Sequence, residues 1–257
     1  WAPRRYQLEM LDAARAGDHA LLVAPTGAGK TLSGFLPVLA DLIENPCEGL
    51  HTLYVSPLKA LAVDVRRNLL QPVEEMGLPI RIETRTGDTP SDRKARQRAR
   101  PPHILLTTPE SLSLLLSYPD SVSMFAGLKT IIIDEVHAFA TGKRGDLLNL
   151  SMARLQSLAP EMRRVALSAT VAEPELFLDW LGPIAPLSFS GGDGGGGCTP
   201  APDSQSVHSG HLPHPNPSAE REGLESAIRL VRGDPGAPPN LAILLPEGRV
   251  RWPGHSG

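Results

Sequence analysis

Short apolar runs alternate with longer amphipathic stretches from about residue 6 to residue 182. Such short apolar runs are typical of strands that are buried on both faces of a parallel sheet. The predicted strands are 19–24, 51–55, 80–85, 103–107, 129–134 and 163–168, and the predicted helices are 6–16, 31–44, 58–75, 90–99, 110–117, 144–158 and 174–181. This alternation predicts an α/β fold in which helices cover both faces of a parallel sheet.

The composition changes at residue 189. Residues 189–219 consist largely of Gly, Pro, Ser and His, and such a segment buries too little apolar surface to offset the entropy of ordering. We therefore predict three parts: an α/β domain over 1–188, a disordered linker or insert over 189–220, and a tail over 221–257. The tail contains one apolar run, NLAILL.

Charge and cysteine content exclude several classes of protein. The formal net charge of −3 gives no overall positive field, so any nucleic-acid binding must come from a local surface. Two cysteines do not make a disulfide framework. The sequence shows neither a signal peptide nor an apolar run of about 18 residues, so we expect a cytoplasmic protein without a membrane span. The first residue is Trp rather than Met, which we interpret as a sign that the chain is a fragment.

The stretch APTGAGKT at 24–31 has the features of a phosphate-binding loop, because it follows a predicted strand and opens a predicted helix. The usual pattern has Gly where Ala24 stands. Glycines let the backbone turn its N–H groups toward an anion at the helix N-terminus. Lys30 would reach the outer phosphates, and Thr31 would offer a hydroxyl to Mg²⁺. The residues predicted to bind the nucleotide are Thr26, Gly27, Ala28, Gly29, Lys30 and Thr31.

A second candidate lies in TIIIDEVHAF at 130–139, where two carboxylates follow a buried strand. Asp134 is suited to Mg²⁺ on a nucleotide that is bound at the same sheet edge. Glu135 can orient the attacking water or take its proton. The alternative is a plain helix N-cap, which the presence of the Lys30 loop makes less favourable. The catalytic residues predicted on this basis are Lys30, Asp134 and Glu135.

Three Ser/Thr-Pro pairs follow predicted strands: Ser56-Pro57, Thr89-Pro90 and Thr108-Pro109. Each combines a capping hydroxyl with a proline suited to the first helical position. A row of such helix starts on one sheet edge could hold a phosphate backbone. The segment RKARQRAR at 93–100 could add phosphate contacts. The alternatives are ordinary helix starts and a solvated helix face.

Together these motifs resemble a superfamily 2 helicase of the DExH type. In the order of that superfamily, WAPRRYQ at 1–7 is similar to a Q motif, 24–31 to motif I, SPLKALAVD at 56–64 to motif Ia, TTPESL at 107–112 to motif Ib, DEVH at 134–137 to motif II and SAT at 168–170 to motif III. Within the superfamily the phrases PLKALAVD, TRTGD, DEVHA and LSATV resemble the large helicase-related (Lhr) family, in particular its bacterial ligase-associated branch.

The resemblance implies a RecA-like P-loop domain that uses ATP and Mg²⁺ to translocate on single-stranded nucleic acid, with DNA favoured over RNA, in DNA repair. It also implies a second RecA-like lobe in cis. It assigns adenine selection to Gln7, adds His137 to the catalytic residues, and assigns coupling between nucleotide and strand to His137, Ser168 and Thr170. The residues that it suggests for the strand are Ser56, Pro57, Lys59, Thr108, Pro109, Glu110 and, with the basic segment, Arg98.

Three alternatives stay open from the sequence. The first is an RNA-directed DExH helicase, because backbone contacts do not read bases. The second is a nucleotide-gated clamp that binds strands without turnover, although the intact Glu135 argues against it. The third is a small-molecule P-loop kinase, in which the similarities to motifs Ia and Ib would be coincidences.

Overall fold

The computed structural model describes residues 2–169, 171, 173–182 and 227–234. The strands are β1 (His19–Val23), β2 (Thr52–Val55), β3 (Ile82–Arg85), β4 (Ile104–Thr107), β5 (Thr130–Ile133), β6 (Arg163–Ser168) and β7 (Ile228–Arg232). The helices are α1 (Arg5–Arg15), α2 (Lys30–Glu44), α3 (Lys59–Glu75), α4 (Ser91–Ala99), α5 (Pro109–Leu116), α6 (Ser121–Phe125), α7 (Lys143–Leu158) and α8 (Glu175–Leu181). A short 3-10 helix (Val136–Phe139) follows β5.

The seven strands form one parallel sheet in the order β3-β4-β2-β5-β6-β1-β7. Side chains alternate between its two faces: Tyr54 packs into one apolar cluster with α1, α2 and α3. Leu53 and Val55 pack into the other, with α5, α6, α7 and α8. Helices therefore cover both faces, and the predicted RecA-like α/β class is confirmed.

Strand β7 corrects the sequence analysis, which placed residues 228–232 in the tail. These residues pair in parallel with β1 at the end of the sheet. Val231 is buried, whereas Arg229 is half exposed and donates to the Asp18 carboxylate beside β1. The two arginines of β7 interrupt the apolar run, as charged residues also do in β3 at the other end of the sheet. Unlike β3, however, β7 follows the Gly/Pro-rich segment and lies outside the strand–helix alternation, which is why the sequence pattern did not reveal it.

Two helical elements, α6 and the 3-10 helix, also lack a sequence prediction. The predicted linker at 189–220 and the apolar run at 240–245 lie outside the described residues. The division into 1–188, 189–220 and 221–257 stays a prediction apart from β7.

Within the part of the chain that the structure describes, each helix is too short or too polar to cross a membrane.

The two ends of the segment 183–226 lie next to each other. A Cβ atom placed on Gly182 would be 3.7 Å from Cδ1 of Ile228. We therefore expect that a linker of about six residues can replace 183–226 without loss of the fold, because it spans no long distance. The replacement shortens the loop roughly eightfold, which is three halvings of its length. Each halving lowers the entropic cost of closing the loop by about 0.6 kcal/mol, so the free energy of unfolding should rise by about 2 kcal/mol.

Thermal melts followed by circular dichroism test this expectation. A matched truncation at Gly182 removes β7 as well, leaves the edge of β1 unpaired and should lower the melting temperature. The expectation is wrong if the linker variant melts no higher than the truncated chain.

Candidate functional site

The carboxyl ends of the parallel strands lie in register along one edge of the sheet. Val23 pairs with Ser168, and Val55 pairs with both Thr107 and Ile133. The phosphate loop follows β1, Asp134 and Glu135 follow β5, and the coupling residue Ser168 ends β6, whereas the predicted strand contacts other than Arg98 follow β2 and β4. The structure thus places the two sets on adjacent halves of the same edge.

The phosphate loop joins β1 to α2. Gly27 and Gly29 have φ angles of 78° and 86°, the left-handed region that favours glycine. Lys30 is buried, and its ammonium donates to the carbonyl oxygens of Ala24 at 3.0 Å and Pro25 at 3.3 Å. The loop is therefore formed and held closed by its own lysine, whose remaining donor capacity is available to a phosphate.

Helix α1 supports the phosphate loop from one side. The Tyr6 hydroxyl donates to the carbonyl of Ala28. Gln7 is buried, accepts a hydrogen bond from the Arg4 N–H at 2.9 Å, and places its amide nitrogen 3.6 Å from the position of a Cβ on Gly29. Gln7 thus lies beside the loop, as expected for a residue that selects the base, while its selectivity stays a prediction.

Asp134 and Glu135 follow β5. Asp134 is 5% exposed, and its two carboxylate oxygens accept from the Glu135 N–H at 2.9 Å and from the Tyr54 hydroxyl. Burial, and then the nearby Asp134 charge, raise the pKa of Tyr54 far above its usual range, so the phenol stays a donor. Glu135 has a φ of 49°, and in the described residues no other non-glycine residue is left-handed. Such strain is typical of functional sites.

His137 connects Glu135 to the end of β6. Its Nδ1 atom lies 3.0 Å from the Ser168 hydroxyl and 3.4 Å from the Glu135 carboxylate. His137 is 41% exposed at its side chain, whereas Ser168 is completely buried. The predicted coupling residues His137 and Ser168 are therefore in contact, and Thr170 lies outside the described residues.

Only one of the three Ser/Thr-Pro pairs starts a helix as predicted. Thr108 is the N-cap of α5 with Pro109 as its first residue, although no side-chain cap hydrogen bond forms. Ser56 instead makes local contacts of 3.3 and 3.4 Å with the backbone of Leu58, and α3 begins later, at Lys59. Thr89 closes a turn by accepting the Thr86 N–H at 2.9 Å, so Pro90 becomes the N-cap of α4. Local side-chain bonds compete with capping at both sites.

The predicted strand contacts fall into a buried group and an exposed group. Ser56, Pro57, Thr108 and Pro109 are buried, whereas Lys59 and Glu110 are exposed. Lys59 forms an ion pair with Asp88, with a 2.9 Å contact, beside an open cleft of about 500 Å³. Glu110 accepts from Arg144 at 2.6 Å, and this bond lowers the pKa of Glu110. Among the predicted strand contacts after β2 and β4, the side chains at the surface are therefore those of Lys59 and Glu110, and both are already paired within the protein.

Most basic side chains of the segment 93–100 have ion-pair or hydrogen-bond partners within the protein. Arg93 and Arg96 both contact Glu83, and Lys94 donates to the carbonyl of Gly87. Arg98 pairs with Asp120 at 3.1 Å and lies 3.8 Å over the ring of Tyr118. It is also near the far end of α4, about 10 Å along the helix axis from the strand-end edge. These contacts favour the solvated helix face, and a phosphate contact of Arg98 would require its ion pair to open.

The family model for DEAD/DEAH box helicases matches residues 4–177. The chain belongs to the DEAD/DEAH box helicases. The match covers the phosphate loop, the Asp134–His137 motif and the residues that follow β2 and β4.

Among relatives of this chain, an Lhr helicase/probable uracil glycosylase of Mycolicibacterium smegmatis is 45% identical over 202 residues, which are 73% of this chain and 13% of the relative. An ATP-dependent helicase Lhr-Core protein 2 of Thermococcus barophilus is 45% identical over 184 residues, 66% of this chain and 21% of the relative. The chain thus spans only a small part of these proteins. Its resemblance to the Lhr family is confirmed, and the ligase-associated branch stays a prediction.

The fold is also similar to that of a solved structure. The structure of Mycobacterium smegmatis helicase Lhr bound to ssDNA and AMP-PNP superimposes with a TM-score of 0.65 at 43% identity. The alignment covers 72% of this chain and 25% of the other.

Two tyrosines near the site were not predicted as site residues. Tyr6 contacts the phosphate loop and Tyr54 contacts Asp134. A signal for Tyr54 exists in the sequence: it is a hydroxyl-bearing residue inside an apolar strand, TLYV, and a buried phenol needs a partner. The sequence does not say which polar group supplies that partner.

Proposed function

We propose that this chain is the ATP-binding lobe of a helicase that uses ATP hydrolysis to move along single-stranded nucleic acid, with DNA favoured. The observation that carries the proposal is the shared sheet edge. A formed phosphate loop and an Asp-Glu pair lie on one half, and the helix starts after β2 and β4, with the exposed Lys59, lie on the other. Nucleotide chemistry and strand binding can thereby influence each other through a single rigid sheet.

The residues around the loop fit Mg²⁺ that arrives with the nucleotide. The Thr31 hydroxyl and the Asp134 carboxylate supply only oxygen donors, which Mg²⁺ prefers. In the described ranges no group of three His, Cys, Asp or Glu side chains could hold a metal ion without the nucleotide. When bound, Mg²⁺ would neutralise charge on the phosphates. Lys30 would bind the outer phosphates, Glu135 would orient the attacking water, and Gln7 would contact adenine.

We propose that the strand lies along the residues after β2, β3 and β4. Lys59 supplies a charge at the surface, and the first turn of α5 supplies N–H donors to phosphate from Glu110 onward, since Pro109 has no N–H. The preference for DNA is supported by the solved Lhr structure, which contains ssDNA. His137 and Ser168, in contact at 3.0 Å, would transmit the state of the nucleotide, together with Thr170.

Three finer proposals rest on the resemblance to Lhr helicases. A second RecA-like lobe in cis would complete the ATP site from the opposite side. The protein would act in the cytoplasm, in DNA repair. The small share of the relatives' length that this chain spans, 13% and 21%, leaves room for such a lobe in the whole protein.

The test of this function is the steady-state rate of ATP hydrolysis by the full-length protein, with ssDNA, with ssRNA of the same sequence, and without a strand. We expect hydrolysis to depend on a strand and to respond more strongly to ssDNA. Equal or stronger stimulation by ssRNA would favour the RNA-directed alternative. Strand binding that responds to ATP without turnover would favour the clamp.

A further inference from the structure

A buried hydrogen bond joins β2 to the Asp-Glu pair. The Tyr54 hydroxyl donates to one carboxylate oxygen of Asp134. Tyr54 is in register with Ile132 of β5, and Asp134 is two residues further along the chain, so the phenol and the carboxylate lie on the same face of the sheet. The contact therefore follows from the strand register and does not depend on a mobile loop.

The packing around Tyr54 fixes where its hydroxyl points. The side chain is completely buried, and its ring lies 5.4 Å from the ring of Phe35 at an angle of 32°. Phe35 belongs to α2, the helix that begins at the phosphate loop. The phenol is thus held between the helix of the phosphate loop and the strand that ends at Asp134.

The Tyr54 hydroxyl is needed for the hydrogen bond to Asp134 and not for packing in the core. Residues 53 and 55 of β2 are Leu and Val, and Tyr54 itself lies in an apolar cluster, where a phenylalanine ring would pack as well. Each Asp134 oxygen accepts one donor, Tyr54 on one side and the Glu135 N–H on the other, and keeps a lone pair for a further partner. The terminal torsion angle of an aspartate is otherwise broadly distributed. Two donors placed in this way fix the rotation of the Asp134 carboxylate.

We propose that Tyr54 is a positioning residue for Mg²⁺-nucleotide: its hydroxyl holds the Asp134 carboxylate in the orientation that the metal requires. The inference rests on the proposed ATP site and adds to it a residue from β2. Ser56, two residues after Tyr54 and directly after the end of β2, lies at the start of the proposed strand path. Tyr54 thereby joins the nucleotide half of the edge to the nucleic-acid half.

The experiment is a Mg²⁺ titration of the chain at a fixed concentration of a fluorescent ATP analogue, comparing wild type with Tyr54→Phe. Loss of a residue that orients a metal ligand typically weakens metal binding about 10-fold to 100-fold. We expect the Mg²⁺ midpoint of Tyr54→Phe to rise by that factor, while excess Mg²⁺ restores the wild-type signal. The melting temperature without nucleotide should stay close to that of wild type.

Tyr118→Phe is the matched control, because it removes a phenol hydroxyl from a half-exposed ring on the other side of the sheet. Its Mg²⁺ midpoint should equal that of wild type. An unchanged midpoint in Tyr54→Phe would overturn the inference and leave the ATP site intact. If Tyr54→Phe has a lower melting temperature and excess Mg²⁺ does not restore the fluorescence signal of the ATP analogue, the Tyr54 hydroxyl contributes to packing and not to the position of Asp134. If wild type binds no nucleotide at any Mg²⁺ concentration, the proposed function itself fails.

Discussion

Lys30→Ala should reduce the affinity for Mg²⁺-ATP by on the order of 100-fold or more, because two hydrogen bonds to charged phosphate oxygens are lost at about 1.5–3 kcal/mol each. In the structure the Lys30 ammonium lies over the phosphate loop, 3.0 Å from the Ala24 carbonyl. Equilibrium titration with a fluorescent ATP analogue measures the loss in the chain itself.

Lys129→Ala is the control for this variant. Lys129 is exposed and precedes β5, at the opposite edge of the sheet, so its removal changes the net charge equally without touching the loop. We expect wild-type affinity for Lys129→Ala. Equal affinities for Lys30→Ala and wild type would show that residues 24–31 do not bind the phosphates.

Glu135→Gln should leave ATP binding intact and slow hydrolysis in the full-length protein by about 10²-fold to 10⁴-fold, the usual contribution of a general base. The amide keeps the size of the side chain but cannot accept a proton from the attacking water. The backbone of Glu135 would be unaffected, because its N–H bonds to Asp134 irrespective of the side chain.

The measurement for Glu135→Gln is single-turnover hydrolysis with strand present, alongside nucleotide affinity. Glu74→Gln, an exposed glutamate on α3, serves as the matched control and should hydrolyse ATP at the wild-type rate. Wild-type hydrolysis by Glu135→Gln would assign the base to another residue.

The sheet could be predicted from the sequence wherever burial on both faces imposes a continuous apolar run. TIII in β5 and ILLT in β4 are such runs, and the structure places strands there. In the described residues both end strands, β3 and β7, pair on one side alone, so IETR and IRLVR can carry charged residues and still pair. Strand β3 could be predicted from its place in the strand–helix alternation, whereas β7 comes after the Gly/Pro-rich segment. Its partners, β1 and the Asp18 carboxylate, lie about 200 residues earlier in the chain, and a local pattern does not contain that information.

The site shows the same division between local and distant determinants. The phosphate loop could be predicted because its glycines and lysine act within a few residues of each other. The helices after β2 and β3 begin within one residue of their predicted starts, but Ser56 and Thr89 are not their N-caps, because their hydroxyls bond to nearby backbone groups. Tyr54 was missed because its partner, Asp134, lies 80 residues away in the chain.

The central claim is that this lobe supplies half of a strand-dependent ATP site. The most direct test is the rate of ATP hydrolysis with ssDNA by the 257-residue chain and by the full-length protein, each compared with its Lys30→Ala variant. Arginines from a second lobe typically contribute about 10³-fold to 10⁵-fold in rate. We therefore expect strand-stimulated hydrolysis by the full-length protein and almost none by the chain alone. Robust strand-stimulated hydrolysis by the monomeric chain, lost in Lys30→Ala, would contradict the account.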